Sequence, residues 1–198
     1  QVTQIAIPDT LQGVVMARID RLGEDVKQVL KLASVIGRTF FYRVLRGIMK
    51  VNQELDGHLA ELQNFEFIRE KRRIPEQEYI FKHALLQEAA YESILLQQRK
   101  ELHRQVGKCV EFLFANHLDE FYGLIAYHYT RAEEWEKAQE YLFKAGDQAG
   151  KIAADAEALE HYRLALQIKP NHVRVHNNFG LALAEMGQFK EAADHFAA

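Results

Sequence analysis

The chain has 198 residues, 48% of them hydrophobic and 27% charged, with a formal net charge of −3. Three prolines and 11 glycines are too few for a disordered or collagenous chain, and the one cysteine, Cys109, excludes a disulfide framework or a thiolate zinc site built within one chain. No apolar run reaches the roughly 18 residues of a membrane span, and no basic-then-apolar signal pattern is present.

Because the first residue is Gln1, the expectation is a piece of a longer protein. Ile7-Pro8-Asp9-Thr10 reads as a helix start, with Asp9 or Thr10 able to accept from free backbone amides. Leu11, Val14, Val15, Arg18, Ile19 and Leu22 share a face at helical spacing, and Gly23 ends that helix. Glu24 and Asp25 favour the start of a second helix, whose buried face is Val26, Val29, Leu30, Leu32, Ala33 and Ile36. Phe40-Phe41 leads into a third helix, and a fourth covers about residues 52–64, with Leu55, His58, Leu59 and Leu62 in a stripe. The period then changes. Phe67-Ile68-Arg69-Glu70 and Glu78-Tyr79-Ile80-Phe81 alternate, and the polar stretch between them contains Pro75, so a two-stranded hairpin is predicted. From His83 to about Leu96 the spacing is helical again. Short helices followed by a hairpin give the order of a winged-helix domain.

That shape raises DNA binding, which charge can test. The fourth helix, nearest the hairpin, carries Glu54, Asp56 and Glu61 and no lysine or arginine. Carboxylates repel phosphates, and DNA affinity is mostly phosphate neutralisation. The wing cluster Arg69, Lys71, Arg72 and Arg73 is the contrary sign, a possible contact for a phosphate backbone or an acidic protein surface and otherwise a solvated tip.

From Gln97 onward helices follow one another with short polar breaks, the mark of a solenoid. Residues 177–193 carry Gly180, where a neighbouring helix can approach, Gly187 for a tight turn, and Ala192 as a small contact, with Phe189 and Phe196 filling gaps. This resembles the tetratricopeptide repeat, whose period is about 34 residues. Shifting back by that period puts Gly146 under Gly180, Ala158 under Ala192 and Tyr162 under Phe196, while Ala153 stands where the turn glycine would be. A weaker third copy starts at Ile125-Ala126-Tyr127-His128-Tyr129 with Trp135, and its register overlaps its successor. The last helix has no polar cap after it, so Phe196 invites missing residues or self-association through a truncated repeat.

Three further stretches belong together. They are Ile7-Pro8-Asp9-Thr10-Leu11-Gln12-Gly13-Val14-Val15-Met16-Ala17-Arg18-Ile19-Asp20-Arg21-Leu22, Leu32-Ala33-Ser34-Val35-Ile36-Gly37-Arg38-Thr39-Phe40, and Tyr79-Ile80-Phe81-Lys82-His83-Ala84-Leu85-Leu86-Gln87-Glu88-Ala89-Ala90-Tyr91. With Leu124-Ile125-Ala126-Tyr127-His128-Tyr129 and Trp135-Glu136-Lys137-Ala138, they resemble the region after the nucleotide-binding domain in signal-transduction ATPases of the STAND class. More narrowly, they resemble bacterial proteins that join a class III adenylate/guanylate cyclase domain, an AAA-type ATPase and a C-terminal repeat array. No phosphate-binding loop ending Gly-Lys-Ser/Thr occurs in the sequence, so the resemblance implies that nucleotide chemistry lies N-terminal of Gln1. It implies a regulatory arm, with the winged-helix part against the parent's ATPase module and the repeats offering a groove to a protein or peptide.

Isolated candidates have bland readings beside them. His172 and His176, four apart, have a spacing seen in metal sites, with His161 and His195 as further histidines that could be near, but spacing alone is weak and packing is the simpler role. His83 with Glu88 suggests acid–base work, but no nucleophile accompanies it and a helix start explains His83. Cys109 among Val106, Val110 and Leu113 reads as an inert buried thiol. By the repeat resemblance, Arg174, Asn177, Asn178, Leu181 and Glu185 line the groove, where an arginine and two asparagines suit the backbone or a carboxylate of an extended peptide.

The expectation is therefore a mainly α chain. Residues 1–96 form a winged-helix-like module with a small β-hairpin, and 97–198 form a helical array of tetratricopeptide type, truncated at its C-terminus. The segment is expected to be cytoplasmic and non-catalytic, to need no cofactor, metal or membrane, and to bind protein. Nucleic acid is disfavoured. The alternative is a winged-helix transcriptional regulator with a repeat effector arm; a hydrolase finds no nucleophile–base constellation.

Overall fold

The computed structural model describes residues 9–49, 54–151 and 155–197, with side-chain surroundings from residue 13. Two compact units divide the chain, one up to Gln105 and the other from Val106. The boundary falls inside one long helix, and each unit has its own core.

The first unit runs α1 (Asp9–Ile19), α2 (Glu24–Ile36), β1 (Thr39–Phe41), α3 (Tyr42–Ile48), α4 (Leu55–Asn64), β2 (Ile68–Arg72), β3 (Glu78–Phe81), α5 (Ala84–Glu92) and the start of α6 (Leu96–Leu113). From α2 to β3 the order is helix, short strand, two helices and a hairpin. The hairpin is present but enlarged. Phe40 and Phe41 lead into α3 and, with Thr39, also form β1, which pairs antiparallel with β3 to give the order β1-β3-β2. The reason is aromatic burial. Phe40 is fully buried and stacks on its cross-strand partner Tyr79 at 5.8 Å, with Phe81 edge-on at 5.8 Å.

Helix α2 is the centre of this core. Its apolar stripe buries Val26, Val29, Leu30 and Ala33, and it packs on α4 and α5. In α4, Leu55, Leu59 and Leu62 are buried, one turn apart. The fourth helix was expected from about residue 52; residues 50–53 lie outside the described ones, and the described helix begins at Leu55. The expected stripe of α1 is narrower than its spacing suggests. Val15 and Ile19 are buried, Val14 is 59% exposed, and Arg18 crosses to the Phe65 carbonyl and lies over Phe67.

The second unit continues α6, then a 3-10 stretch (Ala115–Phe121), α7 (Tyr122–Arg131), α8 (Trp135–Lys151), α9 (Asp155–Ile168), α10 (Val173–Glu185) and α11 (Phe189–Phe196). Three helix pairs share one packing device. A β-carbon at Gly180 on α10 would come within 2.6 Å of the Phe196 ring on α11, and one at Gly146 on α8 within 2.5 Å of the Tyr162 ring on α9. Gly107 on α6 faces the Tyr129 ring of α7 in the same way, at 3.1 Å. A ring set against a glycine lets two helix backbones approach, and it repeats from pair to pair. This is a tetratricopeptide-like solenoid.

The overlapping third copy expected from the sequence resolves here. Tyr129 packs back onto Gly107, so α7 is the second helix of the pair it forms with α6. The spacing is wider in that pair because the 3-10 stretch is inserted between its helices. The α7–α8 turn nevertheless mimics the one at Gly187. Glu133 takes φ 58° and Gly187 φ 77°, and in each the next amide bonds back five residues, Glu134 to Tyr129 (3.0 Å) and Gln188 to Leu183 (2.9 Å). Ala153, expected at the equivalent turn, lies outside the described residues.

Candidate functional site

The five expected groove residues all lie on α10. Arg174, Asn177, Leu181 and Glu185 are exposed, Leu181 by 56%, while Asn178 is half-buried. Their surroundings come from α8. The Arg174 guanidinium sits 4.9 Å above the Phe143 ring, a cation–π contact that fixes its direction. Asn178 Nδ2 donates to Asp147 Oδ1 at 2.6 Å, and Asp147 also accepts from the Tyr162 hydroxyl at 2.8 Å. Asn178 is thus committed to joining α8, α9 and α10, and its amide is already engaged in the fold. The sequence reading missed Phe143 and Asp147. Their signal was available, since a shift of about 34 residues carries Asn177 to Phe143 and Leu181 to Asp147.

A second polar cluster also escaped the sequence reading. Glu111 on α6 accepts from the Tyr129 hydroxyl, from Tyr141 Oη at 2.7 Å and from Lys137 Nζ at 2.9 Å. Lys137 also lies 4.7 Å over the Tyr129 ring, and Lys144 lies 4.8 Å over Tyr141. Burial, and then the bonds to Glu111, push both tyrosines far above the normal phenol range. Burial opposes ionisation of Glu111, yet its hydrogen bonds outweigh burial and hold its pKa below the ordinary value. Tyrosines that keep their protons and a carboxylate holding three donors make a fixed tie between helices.

The histidines sort differently from their sequence spacing. His172 Nδ1 accepts from the Val175 amide at 3.3 Å, capping α10, and His172 stacks on Phe143. His176 turns away to His195 on α11, with their Nδ1 atoms 2.8 Å apart. His161 lies 3.6 Å from Glu157 on its own helix. Among the described residues, no group of three or more metal-ligating side chains converges. A cleft of about 480 Å³ in this unit is lined by Thr130, Trp135, Leu142, Leu164, Gln167 and Ile168, none of them ionisable. Cys109 is half-buried. In the first unit, His83 is the N-cap position of α5, with its carbonyl accepting from Leu86 at 3.2 Å.

Arg69, Lys71, Arg72 and Arg73 of the wing are all exposed, and three of them are ion-paired. A bulge between Glu70 and Arg72 lets two successive cations reach one buried carboxylate. Lys71 Nζ lies 3.2 Å from Glu78, Arg72 also bonds Glu78, and Glu78 is only 4% exposed. Arg73 pairs with Glu70 at 2.8 Å. Arg69 is exposed on β2. Three of the four basic side chains therefore answer carboxylates of the hairpin itself.

No family model and no curated protein matches this chain. Solved structures of MamA are similar to part of it. One, titled MamA AMB-1, has a TM-score of 0.31 and 16% identity over 52% of this chain and 68% of that one. A second MamA structure has a TM-score of 0.30 and 18% identity over 52% and 72%. A third, MamA MSR-1, has 0.30 and 19% over 57% and 70%. At such values the argument for the solenoid rests on the glycine–aromatic pairs described above. No helix among the described residues is long and apolar enough to cross a membrane.

Proposed function

We propose that this chain is a non-catalytic regulatory segment that binds a protein partner along the face shared by α8 and α10. The observation that carries the reading is the pairing of Arg174 with Phe143 beside exposed Asn177 and Leu181. A pre-aimed guanidinium, an amide and an apolar contact on rigid helices are what an extended peptide needs: a site for its carbonyls or carboxylates and a seat for one apolar side chain. Glu185 at the far end of the same face favours a basic residue there.

The division into a winged-helix-like module at 1–96 and a repeat array at 97–198 belongs to this proposal. So do the cytoplasmic location and the parent, a STAND-class ATPase with a possible cyclase link, supported by the sequence resemblance. In that setting the first module docks on the ATPase and the array reports partner binding to it. Self-association through the last repeat is a further partner mode, supported by Phe189 and Phe196, 71% and 50% exposed. DNA binding is disfavoured because Lys71, Arg72 and Arg73 already face carboxylates while α4 offers acids.

The test is peptide selection from a displayed random library with the purified chain as bait. Enriched peptides should bind the parent chain and lose at least tenfold in affinity to the combined variant Arg174→Ala, Asn177→Ala, Leu181→Ala, which leaves the core untouched. Equal binding to both chains, or ATP hydrolysis by the purified segment, overturns the reading.

A further inference from the structure

The contact between α10 and α11 contains a proton count. His176 Nε2 lies 2.7 Å from the Pro170 carbonyl, an oxygen that only accepts, so this nitrogen carries a proton. In neutral His176 the other nitrogen, Nδ1, is then an acceptor. Nδ1 of His195, 2.8 Å away, must be the donor. The tautomers of both rings follow from one backbone oxygen.

Protons can be added in only one order that at first keeps the hydrogen bond. A first proton enters at Nε2 of His195, leaving its Nδ1–H still donating to His176. A second has only Nδ1 of His176 to occupy. That sets two N–H groups and two positive charges against each other at 2.8 Å, where no hydrogen bond is possible.

Apart from this pair, α11 packs along α10. It has eight residues, and its one buried side chain is Ala192. The Phe196 ring rests on Gly180 but is 50% exposed, and the His195 ring lies tilted against Phe179 at 4.2 Å. The charged groups around the pair are few. Arg163 of α9 and Glu191 of α11 line a shallow cleft with His195, and Asp194 is next to it on α11. Arg163 opposes added charge; the two carboxylates favour it.

We propose that the His176–His195 pair is an acid-released latch: α11 stays on α10 with no added proton or one, and detaches when both imidazoles are charged. Detachment uncovers Phe179 and the notch at Gly180. Burial, and then the neighbouring His176, hold the His195 pKa below the ordinary histidine value against the pull of Glu191 and Asp194, so the latch is closed at neutral pH. The sign follows from linkage. A histidine whose folded pKa is depressed binds more protons when released, so the contact is full above the ordinary histidine value of about 6.5 and is lost as pH falls below it.

Hydrogen exchange on the whole chain at pH 7.5 and 5.0, corrected for intrinsic rates, tests this. Protection of amides 192–197 should fall at least tenfold at pH 5.0, while the buried amides of α8 keep theirs. His195→Phe preserves the ring contact with Phe179, and His176→Gln preserves a polar partner; in each, protection of 192–197 should be equal at the two pH values. Nitrogen NMR of the imidazoles at pH 7.5 should find the proton on Nε2 of His176 and Nδ1 of His195. Unchanged protection of α11 in the parent chain, a pH loss that persists in both variants, or the opposite tautomers overturn the latch. The groove reading stands or falls separately.

Discussion

Two neighbouring helix pairs solve the same packing problem with different chemistry. In α8 and α9 the ring on the glycine is Tyr162, nearly buried, with its hydroxyl donating to Asp147 and through it tied to Asn178 of α10. In α10 and α11 the ring is Phe196, which has no hydroxyl to donate, is half exposed, and is assisted by a histidine pair. The pair of α6 and α7 follows the first pattern, with Tyr129 donating to Glu111. A tyrosine–carboxylate tie holds while the carboxylate is ionised, whereas a histidine pair holds while it is not fully charged. The interior of the array and its last helix should therefore fail under different conditions.

The largest effect should come from removing an interior tie. Glu111→Ala leaves the Tyr129 and Tyr141 hydroxyls without their acceptor, and both residues are at most 5% exposed. Stranded buried donors cost about 1–3 kcal/mol each, so the variant should lose roughly 2–4 kcal/mol in urea unfolding. The pH dependence has a fixed sign. Because Glu111 ionises below the ordinary carboxylate range in the fold, its contribution is full above about pH 4.3, the unfolded value, and fades as pH falls through the folded one. The parent chain should show that acid loss and Glu111→Ala should show less of it. An alanine variant as stable as the parent would mean that water replaces the carboxylate.

The glycines come next. Gly146→Ala drives a methyl to 2.5 Å from the ring of Tyr162, which is tethered by its hydroxyl. Overpacking of this kind costs about 1–3 kcal/mol and should exceed the gain of about 1 kcal/mol in helix propensity. Gly180→Ala makes a similar clash at 2.6 Å, but Phe196 is untethered and half exposed, so its ring can swing outward. The thermal unfolding temperature should therefore drop more for Gly146→Ala than for Gly180→Ala. The reverse ranking would mean that the hydroxyl tie contributes nothing to rigidity.

This contrast also shows which features the sequence could reveal. Gly180, Gly187, Ala192 and Phe196 were legible because a repeat places the same residue types at the same spacing, and a 34-residue shift found Gly146 and Tyr162. The row Arg174, Asn177, Leu181 and Glu185 came from the repeat resemblance, and all four are exposed on α10. Its α8 counterparts needed the shift to be carried across the groove. β1 was hidden because three residues are too short to show alternation, and only cross-strand burial of Phe40 makes them a strand. Glu78 opens the second alternating segment, and nothing in its local sequence marks it for burial. It is buried because a bulge, invisible in the sequence, brings Lys71 and Arg72 to it. His176 and His195 stand 19 positions apart, and nothing local announces that their nitrogens meet.

The smallest prediction isolates helix propensity from packing. Gly150 lies near the end of α8, one turn after Gly146, and a β-carbon built there meets nothing within 4 Å. The ring that makes Gly146 necessary is absent at Gly150. Alanine there should therefore gain only what any helix gains when backbone freedom in the unfolded chain is reduced, about 0.5 kcal/mol so near the helix end. Denaturant titration should show a slightly higher midpoint and an unchanged slope. The same substitution, four residues apart on one helix, should thus change sign, because at Gly146 the missing methyl is space already occupied by Tyr162. A loss at Gly150 equal to that at Gly146 would mean that α8 tolerates no added side chain along this turn, and the glycine–aromatic rule would then not be what sets the spacing of the pairs.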